Sequence, residues 1–440
     1  MSNDFFENLK SFMGEDFDEL KSSFNAAPFR GIYINTLKGD MDKIISLLPY
    51  ELRQTPFALR GYYIDNDIEQ LGNNPLHHAG AFYAQEPSAM SAAAAINPQK
   101  GEKILDLCAS PGGKSVNIAA MLDNTGFLWS NEYVKSRSKI LLSNLERMGV
   151  RNGVVSNMSS EAIAELLPEF FDKVLVDAPC SGEGMFRREK ASLEAWNIGN
   201  VGMCAQRQLL ILCNAAKNVK HGGRLIYSTC TFNKTENEDV INAFLQANPD
   251  FSLINIGNEF GRPGYGVPEA RRVFPMDGGE GHFVAVLERE TGANYNKIKP
   301  FRAAPAPKEF YSFWQDNFDC EIFGNPCSIG DKVYLVPDDM PEAKGANILR
   351  AGVLAGRMKG KMFFPEHNLY TSIKYEDCKV KINLPYGSEE LLKYLHGEEI
   401  DCPGQKGFCA VALEGIMLGF GKVSGGKLKN HYPKGLRNLK

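Results

Sequence analysis

Ile104-Leu-Asp-Leu-Cys-Ala-Ser-Pro-Gly-Gly-Lys-Ser115 is the stretch whose reading decides the fold. An apolar run of strand type ends in an acid, breaks at a proline and two glycines, and passes into a helical pattern. Strand, glycine turn and helix in that order open a doubly wound sheet, where ligands bind at the carboxyl ends of strands. The closing Gly-Lys-Ser invites a phosphate-loop reading. That loop needs a glycine at position 108, and Cys108 stands there. Asp106 inside the strand also suits a triphosphate poorly. A G-x-G-x-x-G pattern is absent, which disfavours a dinucleotide. The turn fits a ligand whose carboxylate and ribose approach the backbone. Glu132, at the end of the next strand, can hydrogen-bond a ribose diol. S-adenosylmethionine, a nucleoside with an amino-acid tail and no phosphates, is the remaining choice. The structural alternative is that Gly112 and Gly113 only tighten the turn.

Outward from that turn the alternation is regular. Strands are expected at Lys103–Leu107, Phe127–Asn131, Val154–Val155, Lys173–Val176 and Arg224–Ser228, and later at Phe251–Ile256 and His282–Leu287. Helices are expected at Ser115–Leu122, up to Met148, at Ser160–Leu167, at about 203–219 and at Thr235–Gln246. The last opens on a capping pattern, Thr235-x-x-Glu238. Repeated units of this length predict a mostly parallel sheet with helices on both faces. Ahead of it, residues 1–78 read as a small α/β lobe. Phe5 to Phe17 carries aromatics at helical spacing, Phe29 to Lys38 is a strand, and Asp40 to Leu48 a capped helix. The catalytic domain is expected over 79–290, headed by the aromatic strand 80–88. Residues 291–309, with three prolines and Lys297, Lys299 and Arg302, read as a linker. Residues 310–440 form a smaller, glycine-rich region with strands at Val333–Val336, Lys379–Leu384 and Phe408–Leu413.

Composition narrows the class. With 440 residues, 43% apolar and 23% charged, the chain reads as a globular protein of more than one domain. No apolar run reaches the roughly 18 residues of a membrane span, and the first residues do not read as a signal peptide. A net charge of −4 argues against a uniformly basic nucleic-acid binder and leaves room for local basic patches. Ten scattered cysteines show no C-x-x-C pair, so neither a structural metal nor disulfides are expected. A cytoplasmic location and a monomer are expected.

Two of the cysteines have unusual surroundings. Val174-Leu-Val-Asp-Ala-Pro-Cys-Ser-Gly-Glu-Gly184 places Cys180 just past a strand end, beside Asp177. Ile226-Tyr-Ser-Thr-Cys-Thr-Phe232 places Cys230 just past another. Alone, each is more often a packed core thiol. Together with an acid and a nucleoside-binding turn they become a chemical set. A thiolate adds readily to an electron-poor ring carbon such as cytosine C6. C5 then gains carbanion character and can take a methyl group from a sulfonium. A second group must remove the C5 proton before the thiol leaves.

Asp106-Leu-Cys-Ala-Ser-Pro-Gly-Gly-Lys-Ser115, Asp177-Ala-Pro-Cys-Ser-Gly-Glu-Gly184 and Ser228-Thr-Cys-Thr231 together resemble the motifs of RNA cytosine-5 methyltransferases of the Sun/Nop2 type. Met185-Phe-Arg-Arg188 and Leu428-Lys-Asn-His-Tyr-Pro-Lys-Gly-Leu-Arg437 resemble the bacterial small-subunit ribosomal RNA methyltransferase F branch. The resemblance implies a Rossmann-like, S-adenosylmethionine-dependent methyltransferase sheet. It adds the N-terminal lobe and a C-terminal α+β region, PUA-like towards its end, as RNA-binding parts. It implies that Cys108, Ala109, Ser110, Pro111, Gly112, Gly113 and Lys114 surround the methionine part of the cofactor. Glu132 would hold the ribose, Asn157 would face adenine, and Asp177 would hydrogen-bond cytosine and touch the cofactor side. Cys230 would be the nucleophile and Cys180 would assist release. The substrate would be RNA, in ribosomal RNA or the small ribosomal subunit.

In the N-terminal lobe the family's Arg-x-Asn-Thr reads Tyr33-Ile-Asn-Thr36, with Arg30 nearby. Arg187, Arg188 and Lys190 could hold phosphates, a solvated face being the alternative. Lys427, Lys429, Lys434, Arg437 and Lys440, with His431 and Tyr432, suit backbone binding with stacking. His77, His78 and His282 read as structural. Two rival functions are a non-catalytic RNA-binding assembly factor and an amino-group (N4) methyltransferase. The latter typically carries Asn/Asp-Pro-Pro-aromatic where this chain has Asp177-Ala-Pro-Cys180.

Overall fold

The structure is a computed structural model describing residues 3–68, 70–189, 193–194, 196–257, 259–293 and 298–437. Lys190, Lys297 and Lys440 lie outside the described residues. Among these residues ten strands form the main sheet: β1 (Lys103–Asp106), β2 (Phe127–Asn131), β3 (Gly153–Ser156), β4 (Phe171–Asp177), β5 (Val219–Thr229), β6 (Phe251–Ile254), β7 (Arg262–Gly264), β8 (Val267–Val273), β9 (His282–Arg289) and β10 (Ile348–Ala351). Their order is β7-β8-β9-β5-β4-β1-β2-β3-β10, with β6 also paired to β9. The five strands from β5 to β3 run parallel, and the others add antiparallel.

The sequence pattern explains the burial. A parallel sheet covered on both faces needs strands that are apolar at nearly every position, and β2 is buried throughout. Its alternate residues feed two cores. Phe127 and Trp129 pack with Leu105, Val174 and Val176 on one face; Leu128 packs with Ile104, Val155 and Leu175 on the other. The chain leaves β1 towards β2 and β3, then returns to its other side with β4 and β5. The strand order therefore reverses between β1 and β4, where open α/β sheets form their ligand crevice. Asp106 and Asp177 end the two strands at that point.

Several expectations change. The strand Phe82–Ala84, expected at the head of the catalytic domain, pairs instead with Arg30–Ile34 in a four-stranded N-terminal sheet. Within the stretch expected as linker, Ala304–Pro305 forms a short strand paired with Asn325–Ile329. The C-terminal region forms two five-stranded sheets and also lends β10 to the edge of the main sheet. The helix expected from Thr235 starts at Glu238, and Thr235 and Glu238 form no capping box. Glu238 turns instead to Arg272 on β8.

The N-terminal aromatics also reach further than a local helix. Phe5, Phe6, Leu9 and Phe17, on the helices Asn3–Met13 and Asp16–Ser23, pack with Phe186, Phe232 and Phe274. Phe186 and Phe232 follow Cys180 and Cys230 in the chain, so this cluster backs both thiol loops. Each fully buried phenylalanine contributes roughly 1.5–3 kcal/mol. Asn35 is buried and donates to the carbonyls of Gly80 (2.8 Å) and Met148 (2.9 Å). It therefore ties the N-terminal lobe to the main sheet.

Candidate active site

Register brings the catalytic parts together. Asp177 on β4 lies opposite Ser228 on β5, so the loops carrying Cys180 and Cys230 leave neighbouring strand ends side by side. Cys180 Sγ lies 3.3 Å from Cys230 Sγ. Gly184 N–H donates to the Cys230 carbonyl (2.9 Å), and the Ser181 and Thr231 hydroxyls lie 2.9 Å apart. Behind the pair, Glu236 accepts from the Ser181 amide (2.9 Å) and from Gln208 (2.7 Å), which also donates to the Pro179 carbonyl. Buried Glu183 accepts from Trp196 (2.9 Å) and the Phe232 amide (3.0 Å), and burial pushes its carboxyl up to about 7. The two loops are thus fixed to one another by buried acids.

Asp177 accepts from Lys114 Nζ (2.7 Å) at one oxygen and from the Ser228 hydroxyl (2.8 Å) at the other. Burial pushes this carboxyl up, but the charge of Lys114 and the hydrogen bonds from Lys114 and Ser228 outweigh it, so it lies below its ordinary value. Lys114 is raised: burial opposes its charge, and Asp177 more than compensates. His282 Nε2 stands 3.9 Å from Asp177, and burial holds that imidazole down at about 3, hence neutral. Cys180 is raised well above a free thiol, first by its hydrogen bond with Cys230 and then by burial. Burial also raises the Cys108 thiol, which suits a wall residue more than a nucleophile.

These groups face a cavity of about 770 Å³, lined by Cys108, Ser110, Glu132, Asp177, Cys180 and Cys230 among others. The residues present fit S-adenosylmethionine. Glu132 puts a carboxylate at the end of β2, steadied by the Val134 amide (2.7 Å) and by Arg137 at 3.7 Å. Gly112 sits at φ +119°, where a side chain would also press on Leu141. The Cys108–Lys114 turn can therefore expose backbone to a ligand. Asp106 lies beneath it, fully buried, with one oxygen bonded to Ser115 (2.7 Å) and the other without a hydrogen-bond partner among the described residues. Burial pushes Asp106 up to about 7.

Of the expected residues, Cys108, Ser110, Glu132, Asp177, Cys180 and Cys230 line this cavity, and Lys114 reaches it through Asp177. Ala109, Pro111, Gly112 and Gly113 shape the turn behind. Asn157 stands outside the lining: its amide donates to the Glu132 and Tyr133 carbonyls (2.7 and 2.6 Å) and braces the wall.

Arg187 is a correction. Its side chain is only 2% exposed, pairs with Glu280 (3.3 Å) and donates to the Ala26 and Ala27 carbonyls. Arg188 donates to the Phe29 carbonyl. Both fasten the N-terminal segment, Arg187 from an enclosed position and Arg188 from an exposed one. In the C-terminal segment Tyr432 is buried, with its hydroxyl 3.1 Å from His78, and Arg437 donates to the Tyr432 carbonyl. Lys427 pairs with Asp401 at the surface (2.8 Å). Lys429, Lys434 and His431 are exposed. Sequence reasoning missed Ser228 as a partner of Asp177, the closeness of His282, and the rim residues Tyr133, Arg207 and Leu210. Ser228 lay inside a quoted motif; nothing local marks the others.

Comparison with known proteins identifies the family. The family model described as 16S rRNA methyltransferase RsmB/F matches residues 93–288. Models for the N-terminal domain of 16S rRNA methyltransferase RsmF, its first C-terminal domain and the methyltransferase RsmF PUA domain match 1–87, 312–373 and 381–438. The ribosomal RNA small subunit methyltransferase F of Shewanella sediminis is 32% identical over 94% of this chain and 92% of its own. That of Vibrio campbellii is 30% identical over 92% and 91%. Among solved structures, a methyltransferase homolog protein from Pyrococcus horikoshii is 28% identical with a TM-score of 0.58, covering 66% of this chain and 95% of its own. NSun6 from Pyrococcus horikoshii, solved with SFG, shares the fold at 21% identity and a TM-score of 0.59, over 66% and 98% of the two chains. Matched along nearly its whole length, the chain belongs to the family of the ribosomal RNA small subunit methyltransferases F.

Proposed function

We propose that this protein methylates C5 of cytosine in small-subunit ribosomal RNA. The observation that carries the reading is the pair of thiols 3.3 Å apart facing one cavity together with Asp177, which is held by Lys114 behind it. S-adenosylmethionine, held along Cys108–Lys114 and by Glu132, supplies the methyl group. Cys230 gives up its proton to solvent and forms a bond from Sγ to C6 of an unstacked cytosine, and the C5–C6 π electrons move onto C5. Asp177 accepts from the exocyclic amine, and Lys114 offsets negative charge developing on the ring. After methyl transfer C5 carries an extra proton. With Cys180 beside it to assist, that proton passes to solvent, its bonding pair re-forms the C5–C6 double bond, the C6–S bond breaks, and Cys230 leaves as the thiolate. The base must be everted or single-stranded to reach a thiolate inside a cavity.

Cys230→Ala is expected to abolish methyl transfer to small ribosomal subunits while keeping S-adenosylmethionine binding. Cys180→Ala should accumulate a protein–RNA adduct visible on denaturing gels. Mass spectrometry of the digested RNA should show 5-methylcytosine. N4-methylcytosine, or full turnover by Cys230→Ala, would sink the mechanism.

A further inference from the structure

A second cavity, about 620 Å³, opens between the N-terminal lobe and the C-terminal region. It shares no lining residue with the catalytic cavity. One wall is the turn 36–41 with Lys43 and Arg60; the other is formed by 371–376 and 415–417. Four cations line it, Lys38, Lys43, Arg60 and Lys374, against two acids, Asp40 and Glu376. Asp40 is already engaged as a helix cap, accepting from the Asp42 and Lys43 amides (3.0 and 3.2 Å). Among the described residues Lys43, Arg60 and Lys374 form no ion pair with a carboxylate.

Lys38 in the wall, and two arginines behind the lining, are satisfied by carbonyls. Lys38 Nζ donates to the Thr371 carbonyl (2.6 Å). Arg147 donates to the His77 carbonyl (2.7 Å) and Arg151 to the Ser372 carbonyl (2.6 Å). A carbonyl satisfies a donor without cancelling its charge, so this junction gathers cations in excess of anions. Burial, then Arg147 and Arg151, hold the Lys38 amine down at about 7. Buried charge without a counter-charge is costly, and an anion entering the cavity would relieve it. The rim is not purely ionic: Leu59 is 74% exposed, and Tyr375 lines the wall. Phosphate-binding cations beside apolar and aromatic surface fit a single-stranded nucleotide.

We propose that this interlobe cavity is a second RNA-binding subsite, gripping one backbone phosphate and its base at a distance from the target cytosine. The proposal rests on the reading that the chain acts on RNA. Its occupant is the substrate strand itself, not a free nucleotide or a ribosomal protein.

The test compares the full-length triple variant Lys43→Glu, Arg60→Glu, Lys374→Glu with a control triple, Lys10→Glu, Lys308→Glu, Lys361→Glu. The probes are small ribosomal subunits from cells lacking the enzyme and naked small-subunit ribosomal RNA. The cavity variant should bind both probes about ten-fold or more weakly at near-physiological salt. Its salt slope should shrink by about one for each phosphate that is no longer neutralised. S-adenosylmethionine affinity and kcat at saturating RNA should stay as in the parent. The glutamine version of the triple should show a smaller loss in the same direction, and thermal melting checks that both variants fold. Unchanged RNA affinity, an equal loss in the control triple, or a loss on subunits but not on naked RNA would each overturn the proposal. Because the parent must first methylate RNA in the same assay, failure of the functional reading is seen separately.

Discussion

At the level of single residues, the chemistry was readable wherever a polar group ends an apolar run. Asp106, Asp177, Cys180 and Cys230 each follow a strand, and the end of a strand is where a doubly wound sheet meets its ligand. Partnership was not readable, because it depends on which strands become neighbours. Ser228 meets Asp177 through the β4–β5 register, and His282 arrives from β9. The same holds for the arginines after Cys180. Their basic run suggested phosphates, whereas Arg187 is enclosed with Glu280. The Asp177–Lys114 pair yields a signed prediction. Asp177 lies below its ordinary value, so its stabilising contribution is present above the unfolded carboxylate range and lost as pH falls through the folded value. In Lys114→Met the main opposing charge is gone and burial dominates, so the carboxyl rises. The acid limb of kcat/KM should then move to higher pH, with kcat reduced. Asp106 titrates near 7, so the profiles are measured in an Asp106→Asn background as well. An acid limb that stays in place in both backgrounds would show that Lys114 does not set the ionisation of Asp177.

Among elements, most strands and helices of the sheet follow from their periodicity, and the exceptions have identifiable causes. The Thr235-x-x-Glu238 pattern obeys the local rule for a helix start. It fails because Glu238 has a stronger partner outside the helix. Its carboxylate and the Arg272 guanidinium are both almost fully enclosed and doubly bonded. Arg272 also donates to the Phe232 carbonyl (2.5 Å), two residues past Cys230. A local cap contributes about 1 kcal/mol, whereas leaving one member of a buried ion pair alone costs roughly 3–5 kcal/mol. Glu238→Gln is therefore expected to lower unfolding stability by an amount in that range, read by chemical denaturation. It should also reduce kcat by loosening the Cys230 loop. The double variant Glu238→Gln, Arg272→Met should lose less than the sum of the two single changes, since each single change strands a charge. Strict additivity would mean that the two side chains are not coupled.

For the molecule as a whole, the chief feature hidden from sequence is that the sheet is finished by a distant part of the chain. β10 pairs antiparallel with β3, placing Ile348 opposite Ser156 and Ala351 opposite Val154. No periodicity within residues 310–440 could reveal that, because its partner lies far earlier in the chain. The pairing is reinforced around it. Gly352 donates to the Gly153 carbonyl (2.8 Å), Arg350 pairs with Glu146 (2.5 Å), and Asn347 donates to Asn157 (3.3 Å). Asn157 in turn holds the Glu132 and Tyr133 carbonyls that wall the cofactor cavity. The C-terminal region thus covers the β3 edge and braces one wall of the catalytic cavity. A chain ending at residue 310 would leave four wholly buried residues, Gly153–Ser156, as an open edge, and such edges invite pairing with another chain. The truncated protein is expected to elute as oligomers or aggregate, to melt at lower temperature, and to bind S-adenosylmethionine more weakly. Size-exclusion chromatography, thermal denaturation and calorimetric titration measure the three effects. A monomeric fragment with undiminished cofactor affinity would show that the catalytic sheet is complete without β10, and that Asn157 holds its wall unaided.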